Sequence, residues 1–165
     1  MIKNQKNNLI DTKSGFTLIE MLVVVAVIGI LSSVVLTALG PARDKAKDTR
    51  IQEELAQVRS FAETLYDGDY DALPVLSVGS DPNNIALLDL KSLAVSIKSQ
   101  GGELVIQKPA SGSATKYLIY SNMNAKTNVT QANPQGDLVF YCRDSNGRSG
   151  TTTRQPNGNE VECQF

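Results

Sequence analysis

Residues 16–39 read FTLIEMLVVVAVIGILSSVVLTAL, an apolar run in which Glu20 is the only charged residue. As a helix rising 1.5 Å per residue, the run spans about 36 Å, enough to cross a hydrocarbon core of about 30 Å. A helix that is apolar on every side is either enclosed in a large protein or inserted in lipid, and the roughly 125 residues that follow are too few to enclose it. The run is therefore read as a single transmembrane helix.

Upstream stand Lys3, Lys6 and Lys13. Basic residues ahead of an apolar run also describe a secretory signal, whose cleavage site would follow the run; Ser32, Ser33 and Ala38 could imitate one. This run is longer than a usual signal core, however, and a different signature precedes it, Lys13-Ser14-Gly15-Phe16-Thr17-Leu18-Ile19-Glu20. The signature resembles the prepilin-type processing motif of type IV pilins and type II secretion pseudopilins: a glycine before the cut, a phenylalanine after it, and a glutamate four residues further on. The resemblance implies that a prepilin peptidase removes a leader, residues 1–15, between Gly15 and Phe16 on the cytoplasmic side. It also implies N-methylation of the new Phe16 amine.

Glu20 carries the sharpest expectation in the run. An ionised carboxylate in hydrocarbon is costly unless it is paired or reaches water. One turn from the helix start, it can reach the headgroups and favour the positive helix end. In a packed filament core, without water, it needs a cation, and the resemblance implies that the Phe16 ammonium of its own or a neighbouring subunit supplies one and sets axial register. Ala26, Gly29 and Ser33 fall along one face, where another helix could approach closely.

Downstream, Arg43, Lys45, Lys47 and Arg50 balance the upstream lysines, so the positive-inside count does not orient the helix. The leader implied by the motif places the amino end in the cytoplasm and the rest outside. Gly40-Pro41 ends the apolar run, and a kink or local melting is expected there because proline removes a helical hydrogen bond. Residues 42–66 resume as an amphipathic helix with Ile51, Leu55, Val58, Ala62 and Leu65 on one stripe, expected to pack on the following domain. The turn-rich stretch Tyr66-Asp67-Gly68-Asp69-Tyr70-Asp71-Ala72-Leu73-Pro74 is similar to the cluster that closes this helix in pilins and pseudopilins. Its alternating Asp67, Asp69 and Asp71 suggest a calcium loop, but an EF-hand needs glycine where Ala72 stands and an acid where Val78 stands. A solvated acidic turn is the expectation.

The remainder reads as a small α+β head, so the fold class is α+β: a long N-terminal helix, half transmembrane and half amphipathic, packed on a small antiparallel sheet domain, pilin-like. The organisation is leader 1–15, membrane or filament-core helix 16–40, amphipathic helix and acidic turn 41–74, and head 75–165. In the head, Asp81-Pro82 can start a helix to about Ser99, with Ile85, Leu88, Leu93 and Ile97 on its buried side and Gly101-Gly102 stopping it. Strands are expected at 103–107, 116–121 and 137–143, an edge strand at 161–165, and surface loops at 109–115 and 122–136. Cys142 and Cys163 are either a disulfide or two free buried thiols; a bridge closing their loop is worth roughly 3 kcal/mol. Their positions are similar to the cysteine pair that pins the last loop in many pilins, and such a pair suits an oxidising compartment. The polar stretch 143–159 between them is a candidate surface for contact with other subunits.

Composition narrows the function classes. The 165 residues are 41% hydrophobic and 20% charged, a globular balance, with net charge −1, which offers no broad attraction for nucleic acid. With no His, no Trp and two Cys, nucleophile–base pairs and zinc sites have almost no material. No catalytic constellation, metal site or cofactor is expected, and the chain is not read as an enzyme. The resemblance implies a filament subunit of a type IV pilus, with a secretion pseudopilin or a DNA-uptake or adhesion minor pilin as alternatives. The implied partners are the prepilin peptidase, copies of itself or related pilins, an inner-membrane assembly platform with its ATPase, and the lipid bilayer. The implied location is the bacterial cytoplasmic membrane, single-pass with the C-terminal domain outside, and then an extracellular or periplasmic filament.

Overall fold

A computed structural model describes residues 15–109, 114–127, 136–158 and 160–165. The chain divides into two units, one ending at Leu39 and one running from Gly40 to Phe165. The element order is α1 (Leu18–Thr64), a 3-10 turn (Pro82–Asn84), α2 (Leu88–Ser99), β1 (Val105–Gln107), β2 (Leu118–Thr127), β3 (Asp137–Asp144) and β4 (Ser149–Thr152). The α+β architecture is present: a long first helix and a four-stranded antiparallel sheet in the order β1-β2-β3-β4.

In the first unit every described residue is exposed, including Val23, Val24, Ile28, Ile30 and Leu36. This part of α1 is long and apolar enough to cross a membrane. Its few hydroxyls are satisfied within the helix: Ser32, Ser33 and Thr37 donate to the carbonyls of Ile28, Ile30 and Val34 at 2.7, 2.7 and 2.9 Å. A polar side chain that returns its hydrogen bond to its own helix can sit in hydrocarbon without an outside partner.

Melting at Gly40-Pro41 does not occur; the helical backbone runs through Pro41. Proline's fixed φ is helical, so the cost is one missing bond to the Thr37 carbonyl, and intact turns on both sides carry the helix across.

In the second unit, Ile51, Leu55, Val58 and Ala62 of α1 are fully buried, the stripe expected from spacing, with Leu65 packed against it. They meet Leu90, Ala94 and Ile97 of α2, and Ile106, Ile119, Met123 and Val139 of the sheet. Alternate residues of the same strands, Val105, Leu118, Tyr120, Phe140 and Cys142, form a second cluster on the outer face with Cys163. The central strand β2 is therefore buried on both faces at its start.

The helix expected from Asp81 begins later. Asp81 caps only the short 3-10 turn, accepting from the Asn83 N–H at 3.0 Å, because Ile85 turns extended to reach the core. The buried stripe of α2 accordingly shifts to Leu90, Ala94 and Ile97, leaving Leu88 79% exposed. The Gly101-Gly102 stop has two separate causes. Gly101 takes φ +92°, and a Cβ on Gly102 would lie 2.6 Å from Ser121 Oγ and 2.9 Å from both Ile51 Cδ1 and Ile97 Cγ2.

Two strand expectations need correction. Strand β2 continues through Thr127, into the stretch read as a loop, and residues 161–165 form no strand. The edge is instead β4, inside the polar 143–159 stretch, joined to β3 by a hairpin in which Asp144 N–H donates to Arg148 O at 3.1 Å. The segment 110–113, most of the 128–136 loop, and Asn159 lie outside the described residues.

Cys142 and Cys163 are joined by a disulfide, with Cα atoms 6.0 Å apart. The bridge ties the C-terminal segment across the outer sheet face, where the Cys163 N–H also donates to Asp144 Oδ2 at 3.1 Å. Cys142→Ser should lower stability by about 2–4 kcal/mol, read as a fall in the denaturant midpoint. An unchanged midpoint would mean that the segment is held by its other contacts.

Candidate processing and assembly site

Gly15, Phe16 and Thr17 precede the helix and are not helical, so the bond between Gly15 and Phe16 lies in open backbone. A Cβ on Gly15 would meet nothing within 4 Å, and Phe16 is 79% exposed. Lys13 and Ser14 of the signature lie outside the described residues.

Thr17 and Glu20 form a reciprocal cap. The Glu20 N–H donates to Thr17 Oγ1 at 3.3 Å, and the Thr17 N–H donates to Glu20 Oε2 at 2.8 Å. The Thr17 hydroxyl donates to the same oxygen at 2.8 Å. This is a capping box, with Thr17 as N-cap and Glu20 at the third helical position, satisfying donors that a helix start otherwise leaves unpaired. In the intact chain the carboxylate thus serves the helix start, next to the positive end of the helix dipole. Both bonds from Thr17 fall on Oε2, leaving Oε1 outside the box. Thr17 was not singled out from sequence, although the pattern Thr-x-x-Glu ahead of an apolar run signals such a cap.

The remaining candidates sit in the second unit and hold the fold together. Asp69 Oδ1 accepts from the Asp71 N–H at 2.9 Å, and Asp71 Oδ1 accepts from the Ala114 N–H at 3.1 Å, so these two acids shape the turn. Among the described residues no group of three or more His, Cys, Asp or Glu is placed to hold a metal. Glu63 of α1 accepts from both Tyr70 and Tyr117 hydroxyls, at 2.9 and 2.7 Å. Burial, and then the Glu63 carboxylate, push the Tyr70 hydroxyl up to about 12 and the Tyr117 hydroxyl higher still.

At the C-terminal end, fully buried Asp144 accepts from Arg148 Nε at 2.8 Å, and Glu162 is held by Lys116 at 2.7 Å and Arg148 at 2.5 Å. These two cations hold the Glu162 carboxyl at about 2, below its ordinary 4.5. Its stabilising contribution is therefore complete above about pH 4.5 and disappears as the pH falls from there towards 2. Glu162→Gln should accordingly melt earlier than the parent chain at pH 7, and the gap should close by pH 2. A gap that stays constant across that window would show that the ion pairs contribute nothing.

A family model described as the prokaryotic N-terminal methylation motif matches residues 11–36. The chain is 38% identical over 80 residues to a type IV major alpha-pilin of Moraxella bovis, covering 47% of this chain and 48% of that protein. It is also 38% identical over 77 residues to the type IV wide pilus major component PilA4 of Thermus thermophilus, covering 43% of this chain and 59% of that one. The matches thus span about half the length of each relative. No solved structure matches the chain significantly. In its methylation motif, and over about half its length, the chain is similar to type IV pilins, and an exposed apolar helix follows that motif.

Proposed function

We propose that this chain is a structural subunit of a type IV pilus-like filament, made as a membrane-anchored precursor, cut between Gly15 and Phe16, N-methylated on Phe16 and assembled through its N-terminal helix. The observation that carries this reading is an apolar surface exposed along all of residues 16–39, headed by a carboxylate within one turn of the bond to be cut. Such a surface leaves lipid for contact with identical helices at little solvation cost, since both surroundings are apolar. Cleavage creates an ammonium at Phe16, beside Thr17, whose N–H already holds Glu20. That ammonium then competes for the carboxylate, in its own subunit or the next, and the pairing sets axial register.

The partners in this reading are a prepilin peptidase, copies of itself or related pilins, an inner-membrane platform with its ATPase, and the lipid bilayer. The second unit lies outside the cytoplasmic membrane, which agrees with a disulfide that needs an oxidising compartment. The names of the relatives favour a pilus over a secretion pseudopilus. Intact-mass measurement of protein sheared from cells tests the proposal, and a chain starting at methylated Phe16 is expected. Recovery with Met1 attached, or with a start beyond Leu31, rejects it.

A further inference from the structure

A cleft of about 760 Å³ opens in the second unit between the start of its helical part and the end of β2. It forms where β2 leaves its ladder. The pairing with β3 jumps from Asn122↔Phe140 to Lys126↔Leu138, and the N–H groups of Asn124 and Ala125 turn to Asp48 instead. Buried Met123 and Val139 give the cleft an apolar lining, and Pro41 stands at its margin. Pro41 follows the apolar run 16–39 by two residues, so by chain length alone it lies within about 7 Å of the end of that run. When the run spans a bilayer, the cleft therefore opens beside the headgroups.

Three charged side chains border the cleft, Asp44, Lys45 and Lys126. All three are exposed, and none of these side chains has a hydrogen bond or ion pair among the described residues. Asp48 also lines the space, but its carboxylate is spent on Asn124 and Ala125. The free charges are thus two cations and one anion around an apolar floor.

We propose that this cleft seats the headgroup of a bilayer phospholipid that carries both a phosphate and a primary ammonium. The two lysines suit the phosphate, the Asp44 carboxylate suits the ammonium, and Met123 and Val139 suit the first methylenes of the acyl chains. The volume falls within the range of small-molecule sites. A headgroup with a phosphate and no cation would leave Asp44 facing a like charge. The apolar helix of a second copy would strand all three charges away from water. The inference rests on the membrane-anchored reading of residues 16–39.

The test places the full chain, isotope-labelled, in phosphatidylcholine nanodiscs and replaces part of that lipid with phosphatidylethanolamine or with phosphatidylglycerol. Amide resonances of Asn124, Ala125 and Lys126 should move saturably with phosphatidylethanolamine. Phosphatidylcholine has no N–H to give the carboxylate and phosphatidylglycerol has no cation, so each should bind about fivefold more weakly or less. Lys126→Gln should weaken the phosphatidylethanolamine response about fivefold. Asp44→Asn should remove the preference over phosphatidylglycerol, a change of selectivity that a merely structural effect would not produce. A spin label on the acyl chains reports insertion separately, by quenching the amide signals of residues 16–39. An unquenched run would overturn the anchored reading and this inference with it; a quenched run with a silent cleft would overturn the inference alone. So would an equal response to phosphatidylglycerol in the parent chain, or unchanged selectivity in Asp44→Asn. Shifts that follow the number of chains per disc rather than the lipid would place a second copy in the cleft and equally reject the proposal.

Discussion

Glu20→Val is expected to leave a chain that inserts and is cleaved after Gly15, yet is missing from sheared filaments. Removing the carboxylate makes the helix more apolar, so insertion is unharmed. In the proposed pathway the peptidase acts on the precursor, where Gly15 and Phe16 remain in open backbone before the helix, so processing should continue. Assembly is different. In the proposed filament core the Phe16 ammonium would have no water, and without its carboxylate it would be an unpaired buried charge costing about 3 kcal/mol or more at each contact. The loss repeats with every subunit added, so the defect in filament yield should be near complete. Thr17→Ala separates this role from simple capping. It removes the hydroxyl that bonds Glu20 but keeps both the backbone N–H and the carboxylate, and should fray the first turn by about 1 kcal/mol without abolishing assembly. Wild-type filament yield from Glu20→Val, in cells lacking the native copy, would reject the pairing.

The second large effect is expected at Asp48, which joins α1 to the end of β2. It is 5% exposed and accepts three hydrogen bonds, from Asn124 N at 2.6 Å, Asn124 Nδ2 at 3.0 Å and Ala125 N at 2.8 Å. Asp48→Ala leaves the Asn124 and Ala125 backbone N–H groups without this acceptor in a partly buried place, while Asn124 Nδ2 keeps its bond to the Gln100 carbonyl at 2.9 Å, and hydrogen bonds to a charged group are the stronger kind. The expected loss is about 3 kcal/mol, read as a lower denaturant midpoint with an unchanged slope. Hydrogen exchange should show Asn124 and Ala125 opening faster, while Cys142 and its neighbours in β3 keep their protection. A midpoint within experimental error of the parent would mean that water replaces the carboxylate and that the latch is ornamental to the fold.

Asp48 also shows where reading residues in order falls short. It lies in register with Ile51, Leu55, Val58 and Ala62, so the buried stripe of α1 begins with an acid. Hydrophobic periodicity discards such a residue because the scale sees only its charge. What makes burial tolerable is three donors from residues more than seventy positions away in the chain. The hairpin before β4 was more accessible. Asn146-Gly147 is a turn signal, and Gly147 takes φ +88°, but the Ser-Gly-Thr-Thr strand after it has no apolar alternation to draw attention. That strand exists because β3 offers it a row of backbone partners, so its pairing comes from the sheet rather than from its own side chains.

The sequence by itself determined what depends on local chemistry and short-range spacing. That includes the apolar helix, whose all-round hydrophobicity needs no partner to be read; the processing signature in front of it; the stripe Ile51, Leu55, Val58 and Ala62; and the glycine stop after α2. Tertiary structure decided the rest. It set the later start of α2, because Ile85 is drawn extended into the core. It also set the partners of Asp48, Glu63 and Asp144. These outcomes turn on which distant group arrives to satisfy a donor, an acceptor or an apolar surface, and that is fixed only when the chain closes on itself.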